Sequence, residues 1–369
     1  MYLDTLHTED KSFELNEPLP KFPTTRFQGS KRKILQEISN LVDTLSCESV
    51  VDLYSGSGIV SLLFRYMGKV VTSNDFLLYN ANTARLLLTE DFQSIDLNIA
   101  RKDLHFLLND APLDGPCLVQ KHYSGIYFLD NENLEIDRFC QNIEQFESNK
   151  SLYIYAVGQA LIKKRPYNLF HRANLAMRTK EVERSFGNAI TWETSILDHA
   201  IKCISELKKF PLRNTQNSAK NSTMCVNTKD LSSFNKEVDL VYLDPPYING
   251  KGLSVDYSDF YNFLEGLVDY NLYTTGDCDY PHKPINKKRS AWLDKNTAAY
   301  ELQQICKYWD KSAIILSYRS DGIPTPDEIM NIMSIDGRKA ELHSAGEYQY
   351  ALSKNKQNEE IFIVSRPKN

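Results

Sequence analysis

Apolar and polar positions divide the chain into two kinds of territory. Ser49–Tyr54 (SVVDLY) is a β-branched apolar run bounded by the glycines of SGSG, which predicts a strand. Ile59–Tyr66 carries its apolar residues at helical spacing, Lys69–Ser73 predicts a second strand and Leu77–Thr89 a second helix. Strand, glycine turn, helix, strand is the pattern of a parallel α/β sheet. From about residue 95 to about residue 220 that pattern lapses. This stretch holds a tyrosine-bearing run (HYSGIYF), an acidic helix candidate (ENLEIDRFCQNIEQFE), an aromatic helix candidate (SLYIYAVGQALI) and a basic segment, and ends in a polar connector (RNTQNSAKNST). The α/β pattern then returns. MCVNTKDL and VDLVYLDPPY predict short strands, Ser258–Tyr270 and Ala298–Tyr308 helices, Ser312–Tyr318 a buried strand and Pro326–Met333 a helix, while EYQYALS and EEIFIVS are set to pair as an antiparallel hairpin. The first 20 residues form a loose polar lead-in. The expected organisation is one α/β domain split into 1–95 and 221–369 by an inserted segment, 96–220.

Composition narrows the class. A chain of 369 residues with 42% hydrophobic and 25% charged residues can bury a large core, which rules out wholesale disorder. With 43 basic and 48 acidic residues the net charge is −5, so any nucleic-acid contact must come from local basic patches. No apolar run is long enough to cross a membrane, and MYLDTLHTEDKSFELNE lacks the basic start and apolar core of a signal peptide. Seven cysteines with no CxxC pair predict reduced thiols and a cytoplasmic location. Neither HExxH nor Cys/His ligand spacing occurs, so no metal site is expected.

Two segments carry chemistry. In Asp52-Leu-Tyr-Ser-Gly56-Ser-Gly58, the glycines allow a tight turn and close approach of a ligand, and the following helix start offers unpaired N–H groups. The next strand ends in Asn74-Asp75, where a carboxylate can accept from two ribose hydroxyls. A GxGxxG fingerprint would need a third glycine, and its absence argues against NAD. Asp244-Pro245-Pro246-Tyr247 follows the apolar run VDLVYL, and its two prolines must end the strand at a carboxyl edge. Prolines free backbone carbonyls, an ionised aspartate is a pure acceptor, and tyrosine offers a stacking face. Such a group suits the exocyclic amino nitrogen of a base that has left its duplex.

Taken together, Phe27-Gln-Gly-Ser-Lys31, Asp52 to Gly58, Asn74-Asp75, Lys229-Asp230-Leu231 and Asp244 to Tyr247 resemble the Dam-type (alpha-arrangement) N6-adenine-specific DNA methyltransferases. The order matches too, with cofactor motifs first and Asp244 following Gly58 by 186 positions (244 − 58). Ser30 stands where that family's Phe/Trp-x-Gly-Gly-Lys pattern has its second glycine, and Tyr54-Ser55 replaces its more usual phenylalanine. The resemblance implies a Rossmann-like S-adenosylmethionine-dependent sheet, with 96–220 as a mainly helical target-recognition region. It implies cofactor contacts from Phe27, Lys31 (beside the methionine carboxylate), Asp52, Gly56, Gly58, Asp75 (ribose), Asp230 or its neighbour (adenine) and Asp244. Catalysis would fall to Asp244, Pro245, Pro246 and Tyr247.

Leu161–Arg184 holds seven Lys/Arg against two Glu and interleaves Tyr167, Phe170 and His171, so Lys163, Lys164, Arg165, Arg172 and Arg178 are the candidate DNA contacts. Lys31-Arg32-Lys33 and Lys287-Lys288-Arg289 would frame the groove. The implied partners are double-stranded DNA and a cognate restriction endonuclease. RNA adenine methylation and a non-catalytic, methyltransferase-like DNA-binding role stay open as alternatives.

Overall fold

The computed structural model describes residues 18–171, 175–178, 186–212, 218–250, 252, 256–285, 289–344 and 359–368. Seven strands form one sheet in the order β3-β2-β1-β4-β5-β7-β6. They are β1 Ser49–Asp52, β2 Val70–Asn74, β3 Ser222–Met224, β4 Leu240–Leu243, β5 Ala313–Arg319, β6 Lys339–Ser344 and β7 Glu360–Arg366. The first five run parallel, whereas β7 is antiparallel to both β5 and β6.

β4 shows why the centre of this sheet is so apolar. Leu240 and Tyr242 belong to the core on one face, Val241 and Leu243 to the core on the other, and all four are fully buried. A parallel strand covered on both faces reads as an unbroken apolar run, as LVYL does. Helices Leu35–Asp43, Ile59–Tyr66 and Leu78–Thr89 supply the first core, and Lys295–Tyr308 and Pro326–Met333 the second. The last of these starts where predicted because Thr325 and Glu328 cap it reciprocally, the Glu328 carboxylate accepting from Thr325 N–H at 2.8 Å and the Thr325 hydroxyl from Glu328 N–H at 3.3 Å.

Between β2 and β3 the chain is helical, including Leu97–His105, Leu118–Tyr123, Asp130–Asn142, Lys150–Lys163 and Ile196–Lys208. These helices extend the sheet's own core, since Leu104, Ile136, Val157 and Ile204 cluster with Val50 and Leu63. Gly158 lets Tyr79 lie against the Lys150–Lys163 helix, where a Cβ would come 2.2 Å from the ring.

Three elements depart from expectation. β3 is Ser222–Met224, so only Met224 of the expected strand MCVNTKDL is in it. Ser258–Tyr270 breaks into short helices, Tyr257–Tyr261, Asn262–Leu264 and Glu265–Val268. β7 does form an antiparallel pair, but its partner beyond β5 is Lys339–Ser344, and EYQYALS lies outside the described residues.

Candidate active site

The parallel strands β1, β2 and β4 all end at the same edge, where the strand order reverses between β1 and β4. Open α/β sheets bind ligands at such a point. Here one cleft is lined by Phe27 to Lys31, Asp52 to Ser57, Asn74 to Leu77, Asp244, Pro246 and Tyr257. Segments far apart in the sequence therefore share one wall.

Gly56 and Gly58 adopt φ of +50° and +70°, the left-handed region in which a side chain is strained. A Cβ at Gly58 would also lie 2.9 Å from Leu87. Asp75 straps this turn, its two oxygens accepting from Gly56 N–H at 2.8 Å and Leu77 N–H at 2.9 Å. Asn74 joins three strand ends: its amide donates to Leu53 O at 3.1 Å and accepts from Val226 N–H at 3.1 Å. Phe27 covers the turn, stacked 4.0 Å from Tyr261 and 5.7 Å from Tyr257. The two tyrosines carry no signal in the sequence beyond an aromatic-rich segment.

Asp52 is buried, and its Oδ2 accepts the Ser61 hydroxyl at 2.5 Å. Its Oδ1 has no hydrogen-bond partner among the described residues. Burial pushes the Asp52 carboxyl up to about 7; the Ser61 hydrogen bond opposes this, and Asp244 and Asp75 add to it. Lys31, also buried, places its ammonium 2.7 Å from Asp244 Oδ1 and 3.2 Å from Glu360 Oε1. The amine predicted to sit beside a methionine carboxylate is thus engaged with two protein carboxylates. Burial lifts the Asp244 carboxyl to about 6 against the pull of Lys31, with Glu360 adding to the rise. Both prolines after Asp244 are buried, and Tyr247 is braced by the edge of Tyr318 (centroids 6.2 Å apart) and the Arg319 guanidinium, 5.4 Å from its ring. Arg319 is itself fixed by Asp321 at 2.6 and 2.9 Å.

Asp230 is placed elsewhere. Its exposed carboxylate accepts the hydroxyls of Ser232 and Ser233, both at 2.7 Å, and the cleft wall near it comes from Asn227 and Thr228. Lys229, Asp230 and Leu231 are not among the residues that line the cleft. Sequence reasoning also passes over Glu360, a carboxylate heading an apolar strand, whose only signal is that a charge there is unusual.

Three of the expected phosphate contacts, Lys164, Arg165 and Arg178, are instead turned inward. Lys164 is 2% exposed and donates to Trp192 O at 2.8 Å and Thr194 O at 2.5 Å while pairing with Glu132 at 3.0 Å. Arg178 binds Glu132 through two contacts of 2.6 and 2.9 Å. Arg165 donates to Tyr127 O at 2.7 Å and lies 4.8 Å from the Tyr127 ring centroid. Periodicity could not show this, because buried carbonyls and Glu132 supply the partners from distant segments. Lys163 is only partly buried; desolvation lowers its pKa and the charges of Arg26 and Lys202 lower it further, against Cys203 and Glu206, so these three cations lie near one another beside Glu206. Arg172, Lys287 and Lys288 lie outside the described residues, and Arg289 lines the cleft.

No cluster of three or more His, Cys, Asp or Glu suited to a metal ion occurs among the described residues. Among them no helix is long and apolar enough to cross a membrane.

Residues 27–263 match the family described as D12 class N6 adenine-specific DNA methyltransferase, a span of more than half the chain. Over 85% of its length the chain is 22% identical to Modification methylase LlaI of Lactococcus lactis subsp. lactis, covering 49% of that protein. It is 23% identical to Type II methyltransferase M.FokI of Planomicrobium okeanokoites over 85% of the chain and 47% of that relative. Type II methyltransferase M.NlaIII of Neisseria lactamica is 25% identical over 84% of the chain and 88% of its own length. The chain thus spans about half the length of the first two relatives and most of the third. With its seven-stranded sheet and the Asp-Pro-Pro-Tyr segment at the carboxyl end of β4, the chain belongs to the D12 class of N6 adenine-specific DNA methyltransferases.

Proposed function

We propose that this chain transfers a methyl group from S-adenosylmethionine to N6 of an adenine flipped out of duplex DNA. The observation that carries the reading is that Asp244 and Pro246 open onto the same cleft as the Gly56–Gly58 turn and Asp75. The cofactor fits this donor set. Asp52 Oδ1 is a buried oxygen without a partner, suited to an ammonium group. Asp75 presents a carboxylate, an acceptor suited to ribose hydroxyls, to the same cleft. Phe27 and Tyr54 bring aromatic surface to the same lining. Four carboxylates, Asp52, Asp75, Asp244 and Asp256, against Lys31 and Arg289 leave the cleft lining acidic, which favours a cation.

Bound there, S-adenosylmethionine supplies a methyl group on a positively charged sulfur, an electrophile. The chain's task is to present N6. Asp244 and the Pro245 carbonyl accept its two N–H groups, which favours a pyramidal nitrogen with its lone pair directed at the methyl carbon. Tyr247 holds the base by stacking, and its bracing by Tyr318 and Arg319 keeps the ring in place. With a carboxyl near 6, Asp244 is ionised at neutral pH and ready to accept. No strong general base is required, because the proton leaves after methylation from a cationic nitrogen.

Residues 96–220 serve as the target-recognition region, and Arg26, Lys163 and Lys202 replace the inward-facing cations as phosphate contacts. A cognate restriction endonuclease is the partner suggested by the modification methylases to which the chain is similar. Long-read sequencing of host DNA with and without the gene tests the reading. N6-methyladenine at one short sequence, present only with the gene, is expected; methylcytosine alone or no modification would overturn it.

A further inference from the structure

Glu360 is the first residue of β7, facing Arg319 across the β5–β7 ladder, and it is fully buried. The strand it heads, Glu360–Arg366, is otherwise mostly apolar, and a carboxylate is costly to place where an apolar residue would pack freely. Its Oε1 receives the Ser317 hydroxyl at 2.5 Å and lies 3.2 Å from the Lys31 ammonium. That same ammonium is 2.7 Å from Asp244 Oδ1. A fully buried carboxylate and one that opens onto the cleft therefore share one lysine, which arrives from the turn Lys31–Ile34.

We propose that Glu360 is a positioning residue for methyl transfer, holding Lys31 between the two carboxylates so that Asp244 is oriented by the ammonium without being neutralised by it. This rests on the methyl-transfer reading above. Lys31 fixes one oxygen of Asp244, and the other is left for the amino group of the base. Without the Glu360 charge, the whole attraction of Lys31 falls on Asp244. The carboxylate then becomes a weaker base and a weaker acceptor for the N6 proton.

The groups facing Asp244 are Lys31 from its turn, Glu360 from β7, Asp52 from β1, Tyr242 from β4 and Tyr257 from the helix Tyr257–Tyr261. Burial holds the Tyr242 and Tyr257 hydroxyls well above the ordinary tyrosine value, so both stay neutral in the working range. Asp52 titrates near 7, but it does so in every variant, and the comparison between variants isolates Glu360.

The test is Glu360→Gln, which keeps the shape and removes the charge. The acid limb of the single-turnover pH profile should move to lower pH, because Glu360 raises the Asp244 pKa. The rate on the plateau should fall on the order of ten-fold, with KM for DNA and calorimetric cofactor affinity unchanged. Glu360→Asp, with its charge withdrawn by one methylene, should fall between Gln and wild type, and it decides the matter alone if the Gln variant does not fold. A second readout needs no catalysis: the carboxyl titration of Asp244 by NMR in the cofactor-free protein, assigned with Asp244→Asn, should show its midpoint moving down in Glu360→Gln. A limb and midpoint left at their wild-type positions overturn the proposal. A moved midpoint in a chain whose wild type methylates nothing overturns the methyl-transfer reading instead.

Discussion

Asp244 and Asp52 share the floor of one cleft, and burial brings both carboxyls within reach of neutral pH. Because Asp244 must be ionised to accept the N6 proton, the rate should fall as pH drops through about 6; a profile flat from 7 to 5 would show that Asp244 does not perform that role. Asp75→Ala should weaken S-adenosylmethionine binding by at least about 1.5–3 kcal/mol, since ribose contacts are lost and the Gly56 and Leu77 amides are released from their strap. Calorimetry on the folded variant checks this, and unchanged affinity removes Asp75 from the site. Tyr247→Phe should keep most activity because the ring face does the stacking, whereas Tyr247→Ala should lose about 1–3 kcal/mol of transition-state stabilisation in kcat/KM. The residues readable from sequence are those fixed by their own backbone. Gly56 and Gly58 answer a turn that needs positive φ, and the prolines after Asp244 answer a strand that must stop. Glu360 and the tyrosines around Phe27 are not readable, because their partners come from segments more than 200 positions away.

The same division appears among the elements. Strands buried on both faces, such as β4 and β5, announce themselves as apolar runs. The two that are misdrawn, β3 (Ser222–Met224) and β6 (Lys339–Ser344), are the sheet's edges, where polar and charged residues are favoured and pattern fades. In the inserted region, charge along the chain does not reveal direction. Lys164 and Lys163 are neighbours, yet one is buried on Glu132 while the other sits in the field of Arg26 and Lys202. Lys164→Ala should therefore destabilise the protein by about 1–3 kcal/mol, since Glu132 keeps Arg178 but the buried Trp192 and Thr194 carbonyls lose their donor, without flattening the salt dependence of DNA binding. Neutralising Arg26, Lys163 and Lys202 together should lower the slope of log K against log salt by about 0.9 per phosphate contact removed, with little loss of stability. Denaturant unfolding paired with binding at several salt concentrations separates the two cases. If the triple variant leaves the slope unchanged, that field does not face DNA.

At the scale of the whole molecule, a strand order that reverses between β1 and β4 brings together motifs 186 positions apart (244 − 58). Topology of this kind is implied by a family resemblance but not by periodicity, which fixes elements and leaves their order open. The site also marks the stability of the fold. The Asp52 and Asp244 carboxyls are raised above the ordinary 3.8, so the folded chain holds these protons more tightly than the unfolded one. Stability of the cofactor-free protein should then be lost as pH rises through about 6 and 7 and be gained as pH falls toward 5, opposite in sign to activity. Glu135, pushed up to about 7 by burial, acts in the same sense, so the informative readout is the melting temperature of wild type against Asp52→Asn, whose pH dependence should be shallower. Identical dependences would mean that folding does not raise the Asp52 carboxyl. The central claim, that Asp244 presents an adenine amino group for methylation, is tested most directly by nucleoside mass spectrometry of duplex DNA incubated with labelled S-adenosylmethionine and either wild type or Asp244→Ala. Label in N6-methyladenine with wild type, and none with a folded Asp244→Ala that still binds the cofactor, is the expected result; label in methylcytosine, or undiminished label with Asp244→Ala, would contradict it.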